Sequence, residues 1–253
     1  MPEDDDRTTL PRDWRHWAKA PAGERLYAIG DMHGRLDLVD RMHELIRADA
    51  AGRAAAHVTV VYLGDYVDRG PASKHLVDRL LQAPLGPFET VYLKGNHEDL
   101  MLEFLDRGTQ GRVWLINGGD ATFASYGVTP PSIHDDESYG PARRALIDAM
   151  PAGHRAFFEG LRVIYRAGDY AFVHAGVRPD VALEAQNERD LIWIREQFLN
   201  SDADFGACVV HGHTIAPEPV RRHNRIGLDT GAYGTGRLSC AVLEGDSVRI
   251  LQT

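Results

Sequence analysis

His57-Val58-Thr59-Val60-Val61-Tyr62-Leu63-Gly64-Asp65-Tyr66-Val67-Asp68-Arg69-Gly70 is the stretch on which the reading of this chain turns. Its first seven residues are mostly apolar and rich in β-branched side chains, the pattern of a buried strand, and a glycine ends the run. Two aspartates and an arginine follow at once. The same order recurs upstream, where Arg25–Ile29 leads into Gly30-Asp31-Met32-His33-Gly34, and downstream, where Phe88–Leu93 leads into Gly95-Asn96-His97-Glu98. Helix-spaced apolar residues fill the intervals at Leu36–Ala50 and Ala72–Leu81, and again at Asp99–Leu105 after the third run. Strand and helix in alternation predict parallel strands with right-handed crossovers. The three polar runs then fall at the carboxyl ends of successive strands, where ligands bind in open α/β sheets.

The pattern changes near residue 108. Residues 108–160 read as a helical cap, with one short helix after Trp114 and two more at Tyr139–Met150 and Pro151–Leu161. Strands then dominate: Arg162–Tyr165, Tyr170–Val173, Ala207–Val210, Val220–Arg222, Arg225–Leu228, Arg237–Leu243 and Val248–Leu251. Only Glu188–Leu199 reads as helical there. Two further polar runs follow apolar segments, Val173-His174-Ala175-Gly176 and His211-Gly212-His213-Thr214. Residues 1–23 read as a polar lead-in on which Trp14 and Trp17 dock, and residues 24–253 as one domain.

The residue types at these strand ends are those that bind divalent cations through oxygen and imidazole nitrogen. Asp31 and His33 are two apart on an extended segment, so both side chains face one side and can share a metal. Asp65 can bridge two metals through its two oxygens. Asn96 adds a neutral amide oxygen, and His174 and His213 complete the second metal. A mixed oxygen and nitrogen set without thiolate suits an open catalytic site holding manganese, iron or zinc, rather than a closed structural zinc. His97 faces this site without being a ligand, and Asp68 can bond its imidazole and raise its pKa, making a general acid. Arg69 and Arg195 are planar forks suited to phosphate oxygens. His211 reads as structural, Tyr233 as part of a turn, and His16, His43, His57, His75, His134, His154 and His223 as surface residues.

The bulk composition narrows the function classes. Hydrophobic residues are 43% of 253 and charged residues 26%, an ordinary globular balance, and the net charge of -9 argues against nucleic acid and anionic membrane as partners. Cys208 and Cys240 are the two cysteines, both in apolar runs, which leaves no thiolate zinc site or disulfide framework. The acidic N-terminus is unlike a secretory signal and no apolar run approaches the ~20 residues that span a bilayer, so a cytoplasmic enzyme is expected; the accompanying expectation is a monomer.

The five runs GDMHG, GDYVDRG, GNHE, HAG and GHT together resemble the phosphoprotein phosphatase branch of the calcineurin-like metallophosphoesterases, over roughly residues 24–245. The Trp193-Ile194-Arg195 spacing resembles the short bacterial and phage serine/threonine protein phosphatases. The resemblance implies an α/β fold, a β-sandwich flanked by helices in the order α/β/β/α. It implies a first metal on Asp31, His33 and Asp65, and a second on Asp65, Asn96, His174 and His213. Manganese is the expected ion, with iron and zinc as alternatives. His97 and Asp68 become the acid pair, and Arg69, Asn96 and Arg195 bind phosphate. The expected reaction is metal-dependent phosphomonoester hydrolysis by direct attack of a metal-bridging hydroxide. The expected substrate is a phosphoprotein or phosphopeptide. The alternatives are a symmetrical diadenosine tetraphosphate hydrolase and, from a different class, a non-catalytic metal-binding interaction module.

Overall fold

A computed structural model describes residues 13–253 apart from 53, 54, 56, 83 and 84. It opens with one turn of helix, α1 (Trp14–Trp17), then strand β1 (Glu24–Ile29) and helix α2 (Leu36–Ala51). Strand β2 (His57–Tyr62), helix α3 (Ser73–Gln82), strand β3 (Glu89–Tyr92) and helix α4 (Asn96–Arg107) follow. The middle segment holds α5 (Gly111–Trp114), a π-turn at Leu115–Gly119, α6 (Asp120–Ser125), α7 (Tyr139–Ala149) and α8 (Ala152–Glu159). The second half contributes β4 (Ile164–Ala167), β5 (Tyr170–Val173), α9 (Glu188–Trp193), α10 (Glu196–Leu199) and β6 (Cys208–His211). It ends with β7 (Val220–Arg221), β8 (Arg225–Gly227), α11 (Ala232–Thr235), β9 (Ser239–Glu244) and β10 (Ser247–Gln252).

The strands form two sheets, ordered β10-β9-β1-β2-β3 and β4-β5-β6-β8-β7. β1, β2 and β3 are mutually parallel, with Tyr27 opposite Val60 and Val60 opposite Thr90. β5, β6 and β8 are parallel in the second sheet. Successive side chains on a strand point to opposite faces, and here both faces are apolar. Leu26 and Ala28 of β1, Val61 of β2 and Ala241 and Leu243 of β9 meet Tyr170, Phe172, Cys208 and Val210 of the other sheet in a sandwich core. Their neighbours Tyr27, Ile29, Val60 and Tyr62 pack outward against Val39, Met42 and Ile46 of α2 and Leu76 and Leu80 of α3. Ala171, Val173 and Val209 pack outward against Leu191, Ile192 and Phe198. The result is the α/β/β/α arrangement. Each fully buried Leu, Ile or Phe adds roughly 1.5–3 kcal/mol, so two-sided burial holds the strand ends where the polar loops begin. Cys208 and Cys240 are buried free thiols within strands. Among the described residues no helix is long and apolar enough to cross a membrane.

Residues 108–160 carry α5 to α8 and contribute to the main core. Trp114, Phe123, Leu146 and Phe158 belong to the same buried cluster as the outer face of the first sheet. Four expectations need correction. The helix expected at Asp99 starts at Asn96, because the Glu98 carboxylate turns back to accept the Gly95 N–H and caps it earlier. The helix expected over Glu188–Leu199 is broken: Ile194 is extended at ψ 142° and Arg195 lies at φ -130°, ψ -98°. That break keeps Ile194 buried while turning Arg195 toward the His213 carbonyl. His43 and His154, expected at the surface, are buried, each hydrogen-bonded to a tyrosine hydroxyl. Of the two N-terminal tryptophans only Trp14 docks, with its indole N–H on Asp204, while Trp17 is 64% exposed. The rest of the lead-in, residues 1–12, lies outside the described residues.

Candidate active site

All five polar runs lie beyond the carboxyl ends of parallel strands: β1, β2 and β3 in one sheet, β5 and β6 in the other. The sandwich brings the two edges together, and the side chains converge in one buried cluster. Asp31, His33, Asp65, Asp68, Asn96, His97, His174 and His213 are each at most 5% exposed. Asp65 is central. Its Oδ2 is 3.4 Å from His33 Nε2 and 3.9 Å from His97 Nε2, and its Oδ1 is 3.4 Å from His174 Nε2. Asn96 Oδ1 lies 3.0 Å from His174 Nε2 and 2.7 Å from His213 Nδ1. Asp31 accepts the His213 backbone N–H at 2.9 Å.

The turns that deliver these groups are strained where they matter. Of the seven described non-glycine residues with positive φ, five are site residues: His33, Asp65, Asp68, Arg69 and His213. Such conformations cost of order 1–3 kcal/mol each and persist only where surrounding structure holds them. Glu98 does much of the holding. It is fully buried, and its carboxylate accepts backbone N–H bonds from Asp65, Tyr66 and Gly95 at 2.8–2.9 Å and from Val67 at 3.3 Å. Two glycines are required by close approach. A Cβ on Gly95 would sit 2.1 Å from Asp65 Oδ1, and one on Gly212 would sit 1.9 Å from Asp31 Oδ1.

The donor set fits a pair of divalent cations. Two groups that share Asp65, namely His33 with His97 and His174 with His213, bring their donor atoms within 4.8 Å of one another. His33 and His174 each point Nδ1 at a backbone carbonyl, Val67 and Leu63, at 2.8 Å, which leaves Nε2 facing Asp65. This is the outer-shell arrangement that fixes a ligating imidazole. Burial is the main force lowering the pKa of His33, His174 and His213, the last to about 2, so these rings are held neutral, the form that binds metal. Burial also raises the Asp31 carboxyl, with the charges of Asp229 and Asp65 adding to it. Three buried carboxylates packed this closely call for a cation.

A family model described as calcineurin-like phosphoesterase matches residues 24–234. The chain belongs to the calcineurin-like phosphoesterases. It is a metallophosphoesterase hydrolase by that membership. Its curated relatives include bis(5'-nucleosyl)-tetraphosphatase PrpE [asymmetrical] of Bacillus thuringiensis (strain Al Hakam), 25% identical over 83% of this chain and 87% of the relative. The protein of that name from Bacillus cereus (strain 03BB102) is 24% identical with the same coverage. Among solved structures, one provisionally described as a diadenosine tetraphosphatase superposes with TM-score 0.62 at 22% identity, over 92% of this chain and 95% of that one. A protein serine/threonine phosphatase of Saccharomyces cerevisiae superposes with TM-score 0.54 at 16% identity, over 94% and 84%. These likenesses establish the shared fold.

Around the calcineurin-like core, the remaining expected residues are placed as follows. His97 Nδ1 is 2.6 Å from Asp68 Oδ2. Burial opposes protonation of His97, but the charge of Asp65 and the bond to Asp68 outweigh it and raise its pKa. Arg69 Nη1 is 2.7 Å from His33 Nε2, and Arg195 Nη1 is 3.2 Å from the His213 carbonyl and from Thr214 Oγ1. Three further residues were given no role from sequence, and a fourth was read only as part of a turn. Trp114 donates its indole N–H to Asp68 Oδ2 at 2.8 Å, and Thr122 donates to Asp68 Oδ1 at 2.6 Å, so the helical segment locks Asp68 in place beside His97. Tyr233, read as a turn residue, has its ring 4.8 Å from the Arg69 guanidinium and 5.5 Å from the His33 ring. Asp229 is buried at the carboxyl end of β8, and the order Gly227-Leu228-Asp229, an apolar run ending in Asp, is the same signal that marked Asp65. His211 points Nδ1 at the Gly212 carbonyl and packs edge-on against Phe198, outside the cluster.

Proposed function

We propose that this protein hydrolyses a dinucleoside polyphosphate, diadenosine tetraphosphate being the reference substrate, by direct attack of water on phosphorus. The observation that carries the substrate class is the end-to-end likeness to relatives named bis(5'-nucleosyl)-tetraphosphatase, 25% identical over 83% of this chain and 87% of the relative. The chemistry rests on the buried cluster. Asp31, His33, Asp65, Asn96, His174 and His213 would hold two divalent ions, with manganese the first to test. When bound, such ions activate water and neutralise phosphate oxygens. Arg69, beside His33, and Arg195, beside His213, bind the phosphate oxygens as forks from the two sides of the cluster. His97 carries its proton at Nε2, since Nδ1 is tied to Asp68, and gives it to the leaving oxygen. No phosphoenzyme forms.

Serine/threonine phosphoprotein hydrolysis is the second reading. It is favoured by the GDYVDRG and GNHE runs and by the exposure of Arg195 at the rim. One experiment separates the two: kcat/KM on diadenosine tetraphosphate and on a phosphopeptide, with manganese at equal ionic strength and a chelator control. The expected outcome is a preference for the dinucleotide of about a hundredfold or more, abolished by the chelator. ATP plus AMP as products gives the asymmetrical cleavage of the relatives' name; two ADP gives the symmetrical one. A comparable preference for the phosphopeptide overturns the substrate assignment and keeps the metal chemistry.

A further inference from the structure

Each side of the ligand cluster carries one arginine and one aromatic ring. Beside His33 they are Arg69 and Tyr233. Beside His213 they are Arg195 and Trp193, whose ring centre is 6.4 Å from that of the imidazole. Trp193 is only half-buried and borders two cavities of about 430 Å³ each. The cavity toward the helical segment is walled by Trp193, Val113, Gln110, Arg189, Glu103 and Asp99.

This wall offers a fixed aromatic face, an aliphatic surface and a cation. The Trp193 ring is held in one orientation, because its indole N–H donates to Asp99 at 3.2 Å, and Asp99 is itself fixed by Lys94 at 2.8 Å. Val113, on α5, is 44% exposed and adds an apolar surface. Arg189 is exposed and can lie flat against a purine or meet a phosphate. Glu103 is balanced by Arg107 at 3.0 Å and accepts from Thr109, so the acidic part of the wall is not bare charge. Gln110 is set at a left-handed φ of 60°, which fixes its backbone at the rim. A volume of 430 Å³ lies within the roughly 300–1,000 Å³ of small-molecule sites.

We infer that this cavity receives one nucleoside of the substrate, with the base against Trp193 and Val113 and its phosphate chain running past His213 to the ligand cluster. The inference rests on the dinucleoside polyphosphate reading above. A base on a fixed aromatic surface gains stacking of any purine or pyrimidine, so the site selects for a nucleotide without demanding one base.

The test is the ratio of kcat/KM for diadenosine tetraphosphate to that for p-nitrophenyl phosphate, which has no nucleoside, in the wild type, Trp193→Ala, Trp193→Phe and Val113→Glu. AMP inhibition of p-nitrophenyl phosphate hydrolysis is measured in parallel. The ratio is expected to fall about tenfold or more in Trp193→Ala and Val113→Glu, mainly through KM, and to recover largely in Trp193→Phe. The AMP inhibition constant should rise in step. Ratios and inhibition constants within about twofold of wild type in an enzyme that cleaves the dinucleotide overturn this site alone. A wild type that does not cleave the dinucleotide overturns the substrate reading first, and this site with it.

Discussion

Asp68 meets the His97 ring at 2.6 Å, the Trp114 indole at 2.8 Å and the Thr122 hydroxyl at 2.6 Å, while its own N–H donates to Thr122 and Ser73. Such a carboxylate has little freedom left, and the imidazole bound to it is aimed as well as charged. His97→Asn is expected to lower turnover by about 10²–10⁴, the usual size of general acid help. The loss should be smaller on p-nitrophenyl phosphate, whose leaving group needs little protonation. Trp114→Phe keeps the ring packed and removes one hydrogen bond, so it should cost only about tenfold, in the same direction. Equal losses on alkyl and aryl substrates in His97→Asn would remove His97 from the acid role. The histidine and the aspartate were legible from sequence because both sit directly after strands. Trp114 and Thr122 were not, because they reach Asp68 across 46 and 54 residues of chain.

At the scale of elements, the loop after β2 is anchored by a residue of the loop after β3. Glu98 accepts backbone N–H bonds from three consecutive residues of the first loop and from Gly95 of its own. The bond to the Asp65 N–H fixes the residue that lies between the two donor groups. Glu98→Gln keeps the shape but turns an amide NH₂ toward backbone donors. It is expected to lower stability by about 2–4 kcal/mol, since buried N–H donors then face an NH₂ in place of an oxygen acceptor. Manganese affinity should weaken as well. The measurements are urea unfolding and metal titration by calorimetry, and unchanged values in both would deny Glu98 this role. The break between α9 and α10 is a second case at this scale. Periodicity alone favours one helix, but continuing it would carry Arg195 away from His213. Tertiary contacts override local propensity there.

At the scale of the whole molecule, acid should loosen the packing of helices on the first sheet. His43 on α2 bonds Tyr62 of β2 at 2.8 Å, and burial, with the like charges of Arg47 and Arg79, pushes its pKa from 6.5 down to about 4. The unfolded chain therefore binds the proton more readily than the folded one. Stability from a neutral His43 is fully present above pH 6.5 and is lost as pH falls toward 4, by roughly 3 kcal/mol at most. Urea midpoints of metal-free protein should drop over that window. His43→Gln, which can still bond Tyr62, should show a flatter profile; parallel profiles would rule His43 out as the cause.

The chain alone determined the alternation of strand and helix, the ends of the parallel strands and the candidate ligands, because strand period, glycine breaks and metal-binding residue types are local signals. The sandwich itself was an expectation only through the resemblance carried by the five motif runs. Only the tertiary structure decided which distant groups share the site. Trp114, Thr122 and Gly118 come from the helical segment, with the Gly118 carbonyl receiving the Arg69 N–H at 3.0 Å. Tyr233 and Asp229 come from the far end of the chain. The same holds for His43 and His154, whose burial depends on helix packing rather than on their neighbours in sequence. A residue's own run of chain sets its backbone and its face, but the partner across that face is chosen by the layers that close over it, and no local period carries that information.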